Sequence, residues 1–363
     1  MTDKLTSRGK TRLSLIRKLI SIVTNPTVMT IKVLFLQEMS EELQTYFEQQ
    51  LKDDPIELIF PDQTNEEHLL TLAPLADVLI GWRPSYELLE SATKAKALIN
   101  PGVGVKRHIE PFKKLNEHRD NPLLLINGHG NAYFTAEHAV ALLLALYNKI
   151  VQYHNSMIFG NWRKLNLGSS NTLRNKTVGL LGFGAINQHV HQFLSGFHPK
   201  FIALKRSWQD KPEGISRTYV PDQLDEFLTE TDILMMALPR TSQTEGMIGK
   251  HELELLGKDA VIINVARGII IEEEAFYAAL KNGIIAGAGI DVWYNYDPDA
   301  DENGNKYPTD YQFHDLDNVV LSPHRAASPF ENLERWDEQL DNLRRIAAGR
   351  NDLRNIVDLE REY

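Results

Sequence analysis

Short apolar runs bounded by turn-forming residues recur along the chain, separated by stretches whose apolar positions return every three or four residues. The runs from Lys32 to Leu36, Val78 to Ile80, Ala97 to Asn100 and Leu123 to Ile126 predict strands, and the patterns from Glu41 to Leu51 and Ser85 to Ala95 predict helices between them. That rhythm implies βαβ units and a parallel sheet. A second series, from Thr177 to Leu181, Phe201 to Leu204, Ile233 to Ala237, Ala260 to Asn264, Ala286 to Asp291 and Val319 to Leu321, predicts six further strands. Between the two series, the stretch from Thr135 to Tyr153 contains Ala139-Val-Ala-Leu-Leu-Leu-Ala-Leu146, apolar nearly all round, as expected of a helix buried between domains. A last helical pattern from Glu331 to Ala348 returns toward the first domain. The expected fold is α/β, with two doubly wound parallel-sheet domains. The expected division is an extension at 1–30, a discontinuous first domain at 31–125 and 326–363, and a second domain at 126–325.

Residues 178 to 187 read Val-Gly-Leu-Leu-Gly-Phe-Gly-Ala-Ile-Asn, a strand running into a glycine turn and then a helix beginning near Ala185. This order predicts a Rossmann dinucleotide domain in the second half. Gly182 allows the tight turn, and Gly184 lets backbone N–H groups approach a pyrophosphate. Ala185, Ile186 and Asn187 open the helix whose dipole and unpaired donors hold that anion. Asn187 departs from the pattern, since glycine or alanine usually stands there for close helix–strand packing. The helix should ride slightly higher, or the amide should bond locally.

Composition narrows the partners. The chain has 363 residues, 42% hydrophobic content and a formal charge of −10. It exceeds the usual size of a single core, and its acidity argues against a nucleic-acid footprint and for a small metabolite. No cysteine is present, which removes disulfides, thiol nucleophiles and thiolate-held zinc, and suits the cytoplasm. Residues 1–30 are basic around the short apolar group from Leu13 to Ile22, which Arg17-Lys18 interrupts. A signal peptide is therefore not expected. Between a membrane-surface helix and a disordered tail, or sequence upstream of a start at Met29, the second reading is preferred, and no membrane partner is expected.

Three segments lie at predicted strand ends, where open α/β sheets place ligands: Asn264-Val-Ala-Arg267-Gly268, Gly289-Ile-Asp291-Val-Trp293 and Leu321-Ser-Pro-His324-Arg-Ala326. With Gly182-Phe-Gly184-Ala-Ile186, Asn127-Gly-His-Gly-Asn131, Ala136-Glu-His138, Leu238-Pro-Arg-Thr241 and Asn355-Ile-Val-Asp358, they make the chain resemble the D-isomer-specific 2-hydroxyacid dehydrogenase family from about Ile31 onward. The resemblance implies hydride transfer between NAD(P)H and a small 2-keto or 2-hydroxy acid such as glyoxylate or hydroxypyruvate. It also implies a homodimer formed through the cofactor domain. It assigns Arg267 as the bidentate fork for the substrate carboxylate and carbonyl, and His324 as the acid that protonates the carbonyl oxygen. By the same resemblance, Asp291 matches the position that binds the nicotinamide carboxamide. Leu238, Pro239, Thr244, Val265, Ala266 and Ala326 fall at cofactor-flanking positions, and Val103 and Gly104 in a substrate-binding loop whose backbone N–H groups face the acid. Trp82, Arg83 and Tyr133 are candidates for the pocket wall.

The family commonly carries Glu-Pro five residues beyond the aspartate, where this chain has Tyr296 followed by Asp297-Pro298. Either Asp297 supplies the carboxylate partner of His324, the choice preferred here, or the pair is absent and Tyr296 or water orients the imidazole. About 20 residues after the glycines, where an NAD-selective member has an acid, this chain has Lys205-Arg206-Ser207, which suits a 2′-phosphate and favours NADP over NAD. The altered Glu-Pro segment keeps an alternative open, a dinucleotide-sensing interaction protein without turnover. Asp299-Ala-Asp301-Glu-Asn303-Gly304-Asn305, with Asp310 in twelfth place, follows calcium-loop spacing. It contains Pro308 and ends in Asp where Glu is preferred, so an acidic insertion rich in Asx turns, without metal, is expected.

Overall fold

The computed structural model describes residues 30–163, 166, 168–328 and 331–363. The expectation for the N-terminal extension lies outside the described residues, Thr30 excepted. The chain divides into two compact units.

The first unit comprises residues 30–101, Pro111–Ile126 and Trp336–Ile356. Its sheet has the order β2-β1-β3-β4-β5, with β1 Ile31–Phe35, β2 Ile56–Ile59, β3 Val78–Ile80, β4 Ala97–Asn100 and β5 Leu124–Asn127. Three helices begin on side-chain caps: Ser40 for α1 (Glu41–Leu51), Asn65 for α2 (Glu66–Leu72) and Ser85 for α3 (Tyr86–Ser91). Each cap accepts a backbone N–H that the first helical turn leaves unpaired. After α4 (Ile109–Asn116) and β5 the chain leaves, and it comes back only at Trp336. There Trp336 packs edge-on against Phe47, and Arg344 of the returning helix pairs with Asp54 at 3.0 Å. Aromatic packing on α1 thus explains why so distant a segment belongs to this core.

The second unit comprises Gly102–Glu110, Asn127–Arg335 and Val357–Tyr363. The sequence division placed 102–110 and all of 326–363 with the first domain. Its sheet has seven parallel strands in the order β12-β11-β10-β9-β6-β7-β8: β6 Thr177–Leu181, β7 Lys200–Leu204, β8 Ile215–Tyr219, β9 Ile233–Met236, β10 Val261–Asn264, β11 Gly287–Ile290 and β12 Val319–Leu321. The count of six expected from the sequence omitted β8. Alternate residues of β10 enter opposite cores, Ile262 with Phe227 and Phe276, and Val261 and Ile263 with Val178 and Leu143. Both faces are therefore covered, as a parallel sheet requires.

Helix α5 (Ala132–Tyr147) lies on one face against glycine-bearing β11: a Cβ on Gly289 would come within 3.0 Å of Leu142 Cβ. The single helix predicted through Tyr153 is broken at Lys149, whose φ of +55° starts α6 (Ile150–Ile158) in a new direction. The remaining helices of the unit are α7 (Ala185–Leu194), α8 (Leu224–Thr229), α9 (Lys250–Leu256) and α10 (Glu273–Lys281). The pattern from Glu331 opens as a 3-10 turn at Leu333–Trp336 and becomes helix α11 at Asp337–Ala347. Among the described residues no single helix is long and apolar enough to cross a membrane.

Candidate active site

Strand order reverses between β6 and β9, since the chain runs from β6 outward through β7 and β8 and then returns to β9 on the other side. Such a switch point opens a crevice at the strand ends. The glycine turn sits there. Gly182 has φ +83°, and a Cβ on it would lie 2.7 Å from the Ala237 carbonyl at the end of β9, so only glycine fits. A Cβ on Gly184 would meet nothing within 4 Å, and the backbone there faces open space. The first intrahelical bond of α7 runs from Gln188 N to Gly184 O, which leaves the N–H groups of Ala185, Ile186 and Asn187 directed out of the helix start. A cradle of bare backbone before three unpaired donors fits a dinucleotide pyrophosphate.

Asn187 takes the second course offered by the sequence, local bonding. Its side chain is 1% exposed, and Nδ2 reaches Gly182 O at 2.7 Å, Met235 O at 3.0 Å and Leu181 O at 3.3 Å. Its amide therefore binds helix to strands, and only its backbone N–H is left for a cofactor.

At the end of β7, Lys205, Arg206 and Ser207 are exposed. Lys205 Nζ stands 5.7 Å over the Trp208 ring. Among the described residues neither Lys205 nor Arg206 has an ion-pair partner. After β9, the loop carrying Leu238 and Pro239 is closed by Thr244, whose Oγ1 donates to Pro239 O at 2.7 Å and accepts from Thr241 N at 2.9 Å. The Thr244 hydroxyl thus shapes the loop.

The turn after β10 presents Arg267. Asn264 accepts from Ala266 N at 3.0 Å and donates to Arg267 O at 3.1 Å, while Gly268 lies against the Trp293 carbonyl, which a Cβ would approach to 2.5 Å. Val265 and Ala266 are buried, and both polar backbone atoms of Ala266 are held within the turn, its carbonyl by Arg267 Nη1 at 2.5 Å. The other guanidinium nitrogen faces the Gly104 loop: a Cβ on Gly104 would lie 2.7 Å from Arg267 Nη2. That loop is tied down by Asn127 Nδ2 on Val103 O and Gly128 N on Gly102 O. Burial lowers the Arg267 pKa, with Arg240 adding and Tyr296 opposing. Starting so far above neutrality, the guanidinium stays charged.

The turn after β12 presents His324 in the left-handed region, φ +56°. Asp291, 1% exposed at the end of β11, holds this turn. Its Oδ1 accepts from Ser322 Oγ at 2.5 Å and Arg325 N at 2.7 Å, and its Oδ2 accepts from Ala326 N at 3.0 Å. Burial pushes the Asp291 pKa up, but hydrogen bonds from His138, Ser322 and the two backbone groups together outweigh it and leave the carboxylate lowered. One lone-pair site on Oδ2 remains for any further donor. Ala326, assigned by resemblance to the cofactor, has its N–H on Asp291.

Behind Asp291 stands His138 of α5, its Nε2 2.9 Å from Ser322 Oγ and 3.5 Å from Asp291 Oδ1. Because the one hydroxyl hydrogen of Ser322 goes to Asp291, His138 must donate, so its Nε2 carries a hydrogen. Neither His138 nor Ser322 was assigned a role from sequence, although both stand inside quoted motifs. Only the folded sheet brings them together.

His324 does not pair with Asp297, contrary to expectation. Asp297 is exposed, its N–H donates to Asn295 Oδ1 at 3.0 Å, and among the described residues it makes no hydrogen bond to the imidazole. The Asx turn at Asn295 directs the backbone outward, and Tyr296 fills the space instead, its ring 5.3 Å from that of His324. The Tyr296 hydroxyl accepts from Trp293 N at 3.2 Å, and burial raises its pKa, so the phenol stays protonated. The His324 ring keeps a solvent-open edge, yet burial by the surrounding protein lowers its pKa, Asp291 opposing and Arg267 adding.

Trp82 is exposed and Arg83 takes φ +54° in the first unit. Tyr133 belongs to an aromatic group with Phe134, His189 and Phe193. In the acidic loop, Asp301 accepts from Asn303 N, Asn305 N and Asn305 Nδ2, which is Asx-turn geometry, and Asp310 N donates to Glu273.

Comparison with known proteins agrees with this geometry. The family model described as the D-isomer specific 2-hydroxyacid dehydrogenase NAD binding domain matches residues 140–326. A glyoxylate reductase of Thermococcus litoralis is 34% identical over 273 residues, covering 72% of this chain and 77% of that one. A D-3-phosphoglycerate dehydrogenase of Archaeoglobus fulgidus is 31% identical over 306 residues and 83% of this chain, which spans 54% of that protein's length. Among solved structures, an NADPH-dependent glyoxylate/hydroxypyruvate reductase from Sinorhizobium meliloti, in complex with NADP and sulfate, has a TM-score of 0.71 at 25% identity, covering 92% of this chain and 100% of that one. With the glycine turn at the switch point and Arg267, Asp291 and His324 at three strand ends of the same sheet, the chain belongs to the D-isomer-specific 2-hydroxyacid dehydrogenase family, as a nicotinamide-dependent oxidoreductase acting on the CH–OH group of hydroxy acids.

Proposed function

We propose that the protein reduces a small 2-keto acid of the glyoxylate or hydroxypyruvate kind, with NADPH preferred over NADH. The observation that carries this reading is the seat formed by Arg267 Nη2 against Gly104, in the sheet that also presents His324 after β12. Arg267 holds the substrate carboxylate as a planar fork, and the bare backbone at Gly104 lets the acid approach closely. A nicotinamide dinucleotide held on the turn from Gly182 to Asn187 would supply the hydride for C2 of the keto acid. His324, protonated, donates its Nε2 or Nδ1 hydrogen to the carbonyl oxygen as negative charge develops there. Asp291, through the turn it holds, fixes where the imidazole stands, and Tyr296 flanks its ring.

The preference for NADPH rests on Lys205, Arg206 and Ser207, exposed and without an acid beside them. A 2′-phosphate matches two free cations, and a ribose hydroxyl finds no carboxylate. We also read the protein as a homodimer. Ile150, Met157, Ile158, Phe159 and Trp162 form an exposed apolar surface on and after α6, with Phe159 80% exposed, and a second copy would cover it. Light scattering of the purified protein tests this. Consumption of NADPH with glyoxylate, hydroxypyruvate and longer keto acids tests the activity. Tight NADPH binding with no keto acid turned over would instead favour the dinucleotide-sensing alternative.

A further inference from the structure

Glu362 takes φ +61°, a conformation that non-glycine residues keep only where their surroundings determine it. The tight loop presenting it is built by Asp358, whose Oδ1 accepts from Glu360 N and Arg361 N and whose backbone pairs with Tyr363 in both directions. Glu362 Oε1 lies 2.6 Å from Lys106 Nζ, and its Oε2 accepts from Ser242 N at 2.7 Å. The Glu362 side chain is 14% exposed and that of Lys106 33%. One carboxylate thus joins two segments separate in sequence. Lys106 stands two residues beyond Gly104, which lies against Arg267, and Ser242 belongs to the loop that begins at Leu238 beside the glycine turn.

Resting on the function proposed above, we infer that Glu362 is a positioning residue that clasps the substrate-carboxylate loop to the cofactor-flanking loop. The carboxylate touches neither Arg267 nor His324. It acts by fixing Lys106, and hence Gly104, at the distance where Arg267 and the loop backbone can share one substrate carboxylate. It also occupies the Lys106 ammonium, so that this cation does not compete with Arg267 for the acid. Two further bonds, Asn127 on Val103 and Gly128 on Gly102, hold the beginning of the loop, and Glu362 holds it at Lys106.

Hydrogen exchange on the full chain tests this without any turnover. In Glu362→Ala, amide exchange over residues 102–108 and 240–246 should accelerate about 10-fold while the sheet strands keep their rates, as for local opening. The charge swap Lys106→Glu with Glu362→Lys should return residues 102–108 to within about 3-fold of the native rate. In kinetics, Glu362→Ala should raise KM for the keto acid about 5- to 10-fold with kcat within about 2-fold, the sign of lost ground-state positioning. Unchanged exchange at 102–108, or equal acceleration in every peptide, overturns the clasp. If exchange rises as stated but the native protein turns over no keto acid, the clasp stands and the substrate reading falls.

Discussion

Two turns of one sheet present Arg267 and His324 by opposite means. After β10, Arg267 keeps an extended backbone, φ −149° and ψ 145°, and its turn is closed by Asn264 three residues earlier. After β12, His324 is left-handed, and its turn is closed by Asp291 of another strand and, through Ser322, by His138 of α5. The first turn is a local device that a pentapeptide specifies. The second exists only once the sheet and α5 have assembled. Burial lowers both pKa values, with unequal consequence: the guanidinium remains a cation throughout, whereas an imidazole starts near neutrality, so the same direction of shift favours its neutral form.

The comparison can be broken most forcefully at the histidine. His324→Ala should lower turnover about 100-fold or more, the usual worth of a positioned acid, with little change in melting temperature because the ring has a solvent-open edge. An unaffected turnover would remove His324 from the chemistry. Arg267→Lys comes next: the charge stays and the fork is lost, so KM for the keto acid should rise about 10-fold or more while kcat falls less. Away from both turns, Lys205→Asp with Arg206→Ala should reverse an NADPH preference of about 10-fold, measured as kcat/KM for each cofactor. A native enzyme that prefers NADH would refute the reading of this strand end.

A smaller effect would sharpen the contrast. His138→Ala, far from His324 in sequence, should lower kcat about 10-fold by loosening Ser322 and the turn, and His138→Gln, which keeps a donor, should recover part of it. The pH profile supplies the finest test. On the proposed mechanism reduction needs protonated His324, so activity should fall as pH rises through its pKa. Because burial lowers that pKa, the fall in kcat/KM should be centred below the ordinary histidine value of about 6.5. Asp297→Asn should leave this limb in place, since no bond joins the two side chains; a downward move would restore Asp297 as partner.

Much of this arrangement is legible in the chain. β3, β4, β6, β12 and α1 fall where the apolar patterns put them, because their residues are buried on both faces or along one stripe. The strands passed over, β2 and β8, lie at sheet edges. Their residues, such as Glu57, Ser216 and Arg217, face solvent, and a neighbour's ladder rather than their own hydrophobicity makes them strands. The break at Lys149 carries no glycine or proline to announce it. The strand-end positions of Arg267, Asp291 and His324 were readable because each follows an apolar run, whereas the roles proposed for them came from the resemblance. His138 was not, since its partners are contributed by strands far along the chain, and Asp297 misled because its spacing was right while its backbone turns outward.

Asn187 carries a practical warning. Measured against the nucleotide-binding pattern it looks like a blemish, and a design aimed at the consensus would repair it to glycine. That repair would strip the one side-chain donor shared by the carbonyls of Leu181, Gly182 and Met235, leaving buried acceptors short and costing about 2 kcal/mol or more, and it would loosen the first turn of the helix besides. In this protein a position that departs from the nucleotide-binding pattern is also among the least free to conform.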